Sequence, residues 1–178
     1  MLQECSAWVV GEVFFQEPTE EHYLSEISRK SGIAHTSVKN HLETLGEESI
    51  IETQIEEKGE RTYPRYRATM NQEYRFYKKI HLLQQLHTSG LVEHLVDRNQ
   101  PDCIILFGSA ARGEDTETSD IDLYIQAEER DHDLKEFEKQ LNREIQLHTG
   151  PEFQEYPKEL RNNIINGITL HGFLQAEQ

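Results

Sequence analysis

Asp120 and Asp122 stand two residues apart in the run Ser119-Asp120-Ile121-Asp122-Leu123-Tyr124-Ile125. Side chains in a strand alternate faces, so the two carboxylates share one face, with about 6.6 Å of rise between them. Ile121 and Leu123 then point the other way, into a core. Upstream, Ile104-Ile105-Leu106-Phe107 reads as a strand that runs into Gly108-Ser109-Ala110-Ala111-Arg112-Gly113. A glycine at such a step lets the backbone turn sharply. The residues after it can open a helix whose free N–H groups face outward, which makes a seat for phosphate. Two strand-borne carboxylates beside that seat suit Mg²⁺ (or Mn²⁺), as one ion or a pair, holding a nucleoside triphosphate, ATP in the first place.

Gly-Ser, ten residues, then Asp-x-Asp, with Ala-Arg-Gly after the Gly-Ser and strand patterns on both sides, resembles the signature of the polymerase-beta-like nucleotidyltransferase superfamily. The resemblance is strongest to its minimal nucleotidyltransferase (MNT) branch and covers residues 102–148. It implies that Gly108 and Ser109 hold the triphosphate, that Asp120 and Asp122 ligate the metal, and that Arg112 either assists at a phosphate or pairs with a neighbouring acid. The implied reaction is in-line attack on the α-phosphorus of the NTP with loss of pyrophosphate, the metals stabilising the charge. The acceptor would be a protein or a small molecule. MNT-like proteins often act as antitoxins toward a helical partner of the HEPN type, in some cases by transferring AMP to it, so the resemblance implies such a partner.

In that family a third carboxylate, on the next strand between two apolar residues, completes the metal site and draws the proton from the attacking hydroxyl. Here the slot is Ile145-Gln146-Leu147. An amide ligates Mg²⁺ weakly and is no base near neutral pH. Glu144 shares the face of Gln146 two residues earlier, and its longer side chain is the candidate third catalytic carboxylate beside Asp120 and Asp122. Without that substitution the site would bind a metal–nucleotide but turn over slowly or not at all.

The elements that must carry these residues follow from periodicity. A helix over 131–143 (Leu134, Phe137, Leu141), a strand over 144–148 and a last helix from Tyr156-Pro157 alternate with the two strands above, giving a small mixed sheet flanked by helices. Residues 168–174 form an apolar closing segment. Ahead of the sheet, residues 72–88 read as a long helix with an apolar stripe of Phe76, Ile80 and Leu83, Tyr77 and Leu86 beside them, followed by a helix from about Ser89 to Arg98. Together they make a helical connector, 71–100, between a domain at 1–70 and the nucleotidyltransferase-like domain at 101–178.

The first domain opens with a short helix over 6–15, ended by Glu17-Pro18. Thr19 then reads as the N-cap of a helix closed by Ser31-Gly32. A second helix runs from about His35 to Leu45, with Val38, Leu42 and Leu45 inward and Thr36, Ser37, Lys39 and Asn40 outward. Two strand-like runs follow, Ser49 to Ile55 and Thr62 to Ala68. This resembles a winged helix-turn-helix domain, and the overall fold class is α+β to α/β. The stretch Arg61-Thr62-Tyr63-Pro64-Arg65-Tyr66-Arg67 is the locally basic segment of the chain. Arg61, Arg65 and Arg67, on phosphates or in a minor groove, are therefore candidates for double-stranded DNA together with Thr36, Ser37, Lys39 and Asn40 of the second helix. Winged helices also serve as protein-contact or homodimer modules.

The formal net charge of −15 argues against broad electrostatic attraction to nucleic acid, so any DNA affinity would rest on shape and specific contacts. Such acidity would suit a salty cytoplasm. No apolar run approaches the roughly 20 residues of a membrane span, and Glu4, Gly11 and Glu12 interrupt the N-terminal apolar residues in a way a signal peptide does not. Cys5 and Cys103 lack metal-ligand spacing and read as reduced thiols of a cytoplasmic protein. Two functions compete: a Mg²⁺-dependent nucleotidyltransferase, and a DNA-binding regulator whose nucleotidyltransferase-like domain is a nucleotide sensor or is catalytically dead.

Overall fold

Pro18 cannot continue a helix, and α1 (Ser6–Gln16) ends just before it. The computed structural model describes residues 5–58 and 61–175. After α1 come β1 (His22–Tyr23), α2 (Leu24–Ser31), α3 (His35–Glu47), β2 (Ile51–Lys58) and β3 (Arg61–Ala68). Gly32, at φ +69°, closes α2 in the left-handed region that glycine enters without strain, and α3 starts three residues later. The strands form an antiparallel sheet in the order β1-β3-β2. This is the element order of a winged helix-turn-helix.

Thr19 is not the N-cap of α2. His22 and Tyr23 pair with Tyr66 and Arg65 of β3, which keeps the chain extended to Tyr23. Tyr23 then forms a capping box with Glu26, its backbone N–H donating to Glu26 Oε2 at 2.9 Å. The core beneath gathers Val10, Phe14, Ile27, Val38, Leu42 and Ile51 with Tyr74.

Tyr74 sets the rotation of α4 (Gln72–Thr88). Its hydroxyl donates to the Phe14 carbonyl at 2.7 Å and it is fully buried. Phe76 is consequently turned outward, 51% exposed, although the periodicity sets it in the apolar stripe. The chain divides within this helix, into Met1–His81 and Leu82–Gln178. Tyr74 thus belongs to the first core, and Leu82 and Leu86 to the second, whereas the sequence reading places the boundary near residue 70.

The second unit continues with α5 (Leu91–Asn99), β4 (Cys103–Phe107), α6 (Gly108–Arg112), β5 (Ile121–Gln126), α7 (Lys135–Leu141), β6 (Ile145–Thr149), α8 (Lys158–Ile165) and β7 (Ile168–Gly172). The sheet order is β6-β5-β4-β7, with β5 parallel to β6 and β4 antiparallel to β5 and β7. The apolar closing segment is therefore an edge strand. The helix expected over 131–143 is confined to Lys135–Leu141.

Both faces of β4 are covered. Ile104 and Leu106 pack with Leu86, Leu91, Leu95 and Leu123, while Cys103, Ile105 and Phe107 pack with Tyr124, Phe153 and Ile164. A fully buried Ile or Leu contributes roughly 1.5–3 kcal/mol. These two layers hold the central strands of the sheet.

Candidate functional site

β4 ends at Phe107, which is the register partner of Asp122 on β5. The next residue, Gly108, turns the chain into α6 at φ +73°, and a Cβ placed on it would lie 2.4 Å from Asp122 Oδ2. The Asp122 carboxylate therefore rests against the Gly108 backbone, in space that any side chain would fill. Asp120 lies one residue before β5. Gln146, on β6, is the register partner of Asp122, and its Nε2 donates to Asp120 Oδ2 at 2.5 Å. One amide thus stands beside both aspartates, so their carboxylates leave the sheet on the same side. Ile121 and Leu123 are fully buried in the opposite layer.

Burial raises the Asp122 pKa above the ordinary carboxylate value. The charge of Asp120 adds to the rise, while His148 and Arg143 oppose it. A carboxyl raised in the folded state stabilises the fold when protonated and loses that contribution as pH rises through its folded pKa. Asp122→Asn is therefore expected to melt above wild type at pH 7. The gap should narrow as pH falls toward 4, as followed by calorimetry across that range. A variant melting below wild type at pH 7 would contradict this account.

Ser109 is the second residue of α6 and is partly exposed. Arg112 is exposed and its Nε donates to Glu114 Oε2 at 2.8 Å, the pairing with a neighbouring acid that the sequence left open. Glu144 precedes β6 and is exposed; its backbone carbonyl accepts from Ile121 N–H at 2.9 Å. The residues that the sequence did not point to are Asp115 and Arg143, ion-paired at 2.8 Å beneath the segment that carries Asp120. In so acidic a chain nothing distinguished Asp115 from its neighbours. Among the described residues no group of three or more His, Cys, Asp or Glu is arranged to hold a metal. Two cavities, about 240 Å³ beside Glu12 and Lys30 and about 440 Å³ beside Gly150 and Tyr156, are lined by neither aspartate.

On the first unit, Thr36, Ser37, Lys39 and Asn40 are all exposed on α3. The wing arginines are differently placed. Arg65 donates to Glu21 at 2.7 Å, to both carboxylate oxygens of Glu56 at 2.7 and 3.0 Å, and to the Tyr23 hydroxyl at 3.0 Å. Its guanidinium also lies 5.0 Å from the centre of the Tyr23 ring. Hydrogen bonds to Glu21 and then Glu56 raise its pKa further above the ordinary arginine value. Arg67 pairs with Glu52 at 2.5 Å. Arg65 and Arg67 of the basic wing are thus paired with acids of the same unit. The Arg61 side chain lies outside the described residues.

The family model described as polymerase beta nucleotidyltransferase matches residues 90–172. This segment is a nucleotidyltransferase domain of the polymerase beta type. The matched span takes in α5, the whole four-stranded sheet and both aspartates of the nucleotidyltransferase domain. Comparison with curated protein sequences gives no match. Among solved structures, a possible transcriptional regulator from Methanosarcina mazei Go1 is 17% identical, covering 50% of this chain and 73% of its own, with a TM-score of 0.35. No helix among the described residues is long and apolar enough to cross a membrane.

Proposed function

We propose that the nucleotidyltransferase domain binds a divalent metal–NTP complex, ATP in the first place, and transfers its nucleotidyl group slowly to a protein or small-molecule acceptor. The observation that carries this reading is the placement of the Asp122 carboxylate against Gly108, with Asp120 joined to its neighbour Gln146. Carboxylate and amide oxygens are the hard donors that Mg²⁺ or Mn²⁺ takes, so the residues present fit such an ion. Asp120 and Asp122 would hold it, and the backbone turn at Gly108-Ser109 would face the phosphates. When bound, the ion supplies charge neutralisation at the phosphates.

Asp120 and Asp122 would both be needed to orient the triphosphate through the cation, Asp122 from β5 and Asp120 from the residue just ahead of it. Gln146 cannot accept a proton, and it occupies the Asp120 oxygen that a base in that slot would approach. Slow turnover follows. Mn²⁺ binding in the presence of ATP, read by electron paramagnetic resonance, and label transfer from α-labelled ATP test the reading. Asp120→Ala with Asp122→Ala should lose Mn²⁺ binding by at least about 100-fold, since loss of even a ligand's supporting partner costs about 10–100-fold and two ligands are removed here. Equal binding by the double variant would reject the site. The resemblance to the MNT branch supports an antitoxin role toward a HEPN-type helical protein, with that partner as acceptor. Label appearing on such a partner only when it is present would be the supporting result.

The exposed polar row on α3 favours a second role, binding of double-stranded DNA by the first unit, as a dimer where the site is palindromic. Because Arg65 and Arg67 are bound to acids, α3 rather than the wing would carry the contacts. Lys39→Ala is expected to weaken binding several-fold and to reduce the dependence on salt by about one counterion. Arg65→Ala should lower stability and leave the salt dependence unchanged. Fluorescence anisotropy on the upstream DNA of the protein's own gene measures both, and an unchanged affinity for Lys39→Ala would remove this reading.

A further inference from the structure

Arg143 lies in the link between α7 and β6, and its side chain is 12% exposed. Its guanidinium spans three acceptors on the segment ahead of β5. Nη1 donates to Asp115 Oδ2 at 2.8 Å, Nη2 to the Asp120 carbonyl at 3.0 Å, and Nε to the Ser119 carbonyl. Asp115 is itself 2% exposed. The segment is folded locally by Thr116 and Ser119, with Thr116 N–H donating to Ser119 Oγ at 2.9 Å and Ser119 N–H to the Thr116 carbonyl at 3.2 Å. One rigid donor fork therefore grips the carbonyls of the two peptides that flank the Asp120 Cα, Ser119–Asp120 and Asp120–Ile121.

An ion pair that served stability alone would need only Asp115. The two further bonds act on the backbone of the residue that presents a carboxylate to the site. A guanidinium fixes such geometry because its donors lie in one plane, whereas an ammonium supplies charge without the fork. We infer that Arg143, anchored by Asp115, is a positioning residue that sets the direction in which the Asp120 carboxylate leaves the sheet, and so the affinity of the Asp120–Asp122 pair for a divalent metal. The inference rests on the metal–nucleotide reading above and names the device that holds one of its ligands in place.

The test uses the full chain as wild type, Arg143→Lys, Asp115→Asn, Asp120→Ala with Asp122→Ala, and Leu95→Ala as a core truncation far in sequence from the clamp. Thermal melting and the Mn²⁺ dissociation constant with ATP present are measured on each. Arg143→Lys and Asp115→Asn are expected to raise that constant about tenfold, as loss of a ligand's supporting hydrogen bonds does. Leu95→Ala should melt lower than either yet bind Mn²⁺ like wild type. Wild-type affinity in both clamp variants overturns the inference, as does a loss of affinity in Leu95→Ala in step with its melting temperature. Failure of Arg143→Lys to fold would assign the clamp to the scaffold and overturn it equally. Wild type binding no better than the Asp120, Asp122 double variant would instead reject the metal site itself, and the positioning role with it.

Discussion

Gly108→Ala is expected to weaken Mn²⁺–ATP binding about 10–100-fold and to cost the nucleotidyltransferase domain about 1–3 kcal/mol. Two effects add. The backbone at φ +73° is one that an L residue enters only with strain, and the new methyl would lie 2.4 Å from Asp122 Oδ2. Asp122 cannot retreat through its backbone, because Phe107 and Asp122 are register partners in the middle of the sheet and Gln146 flanks the other side. The carboxylate must rotate, and it leaves the direction it shares with Asp120. A double-mutant cycle with Asp122→Ala separates the two effects. Once the carboxylate is gone, only the backbone strain remains, so Gly108→Ala should cost less in that background. Equal cost in both backgrounds, by denaturant unfolding, would show that the contact with Asp122 does not matter.

Gln146→Glu is expected to raise nucleotidyl transfer by about 10²–10⁴, the contribution of a positioned general base. The substitution keeps shape and length while turning the amide that donates to Asp120 Oδ2 at 2.5 Å into a second acceptor at that distance. Two carboxylates so close repel, and they are relieved by a proton or a cation. The variant should therefore melt below wild type without metal, and Mg²⁺ should raise its melting temperature by more than it raises that of wild type. That signature is independent of any acceptor. A variant with the metal response but no faster label transfer would place the missing function outside this position. Wild type that already transfers label, and loses transfer on Glu144→Gln, would assign the base to Glu144.

The geometry among Gly108, Asp120 and Asp122 was legible because their relations are local. Gly108 is tied to its strand by one bond, and Asp120 and Asp122 are two residues apart, so the alternation of extended backbone puts both carboxylates on one side although β5 itself starts at Ile121. The helix-turn-helix was equally local, its spacing set by Gly32 and by Val38, Leu42 and Leu45. Other features depended on residues remote in sequence. The rotation of α4 was decided by the Tyr74 hydroxyl reaching Phe14, 60 residues away, and no periodicity within the helix records that bond.

The wing shows the same limit for charge. Arg65 and Arg67 read as a basic surface until the sheet places Glu21, Glu56 and Glu52 against them. The edge strand β7 needed β4 to pair with. The Asp115–Arg143 clamp joins residues 28 apart. Sequence by itself determined which side chains can do chemistry and the short-range geometry between them, because that geometry follows from backbone period. Tertiary structure alone decided which charges remain available and what holds Asp120 in place, because burial and pairing depend on which distant segments the core brings together.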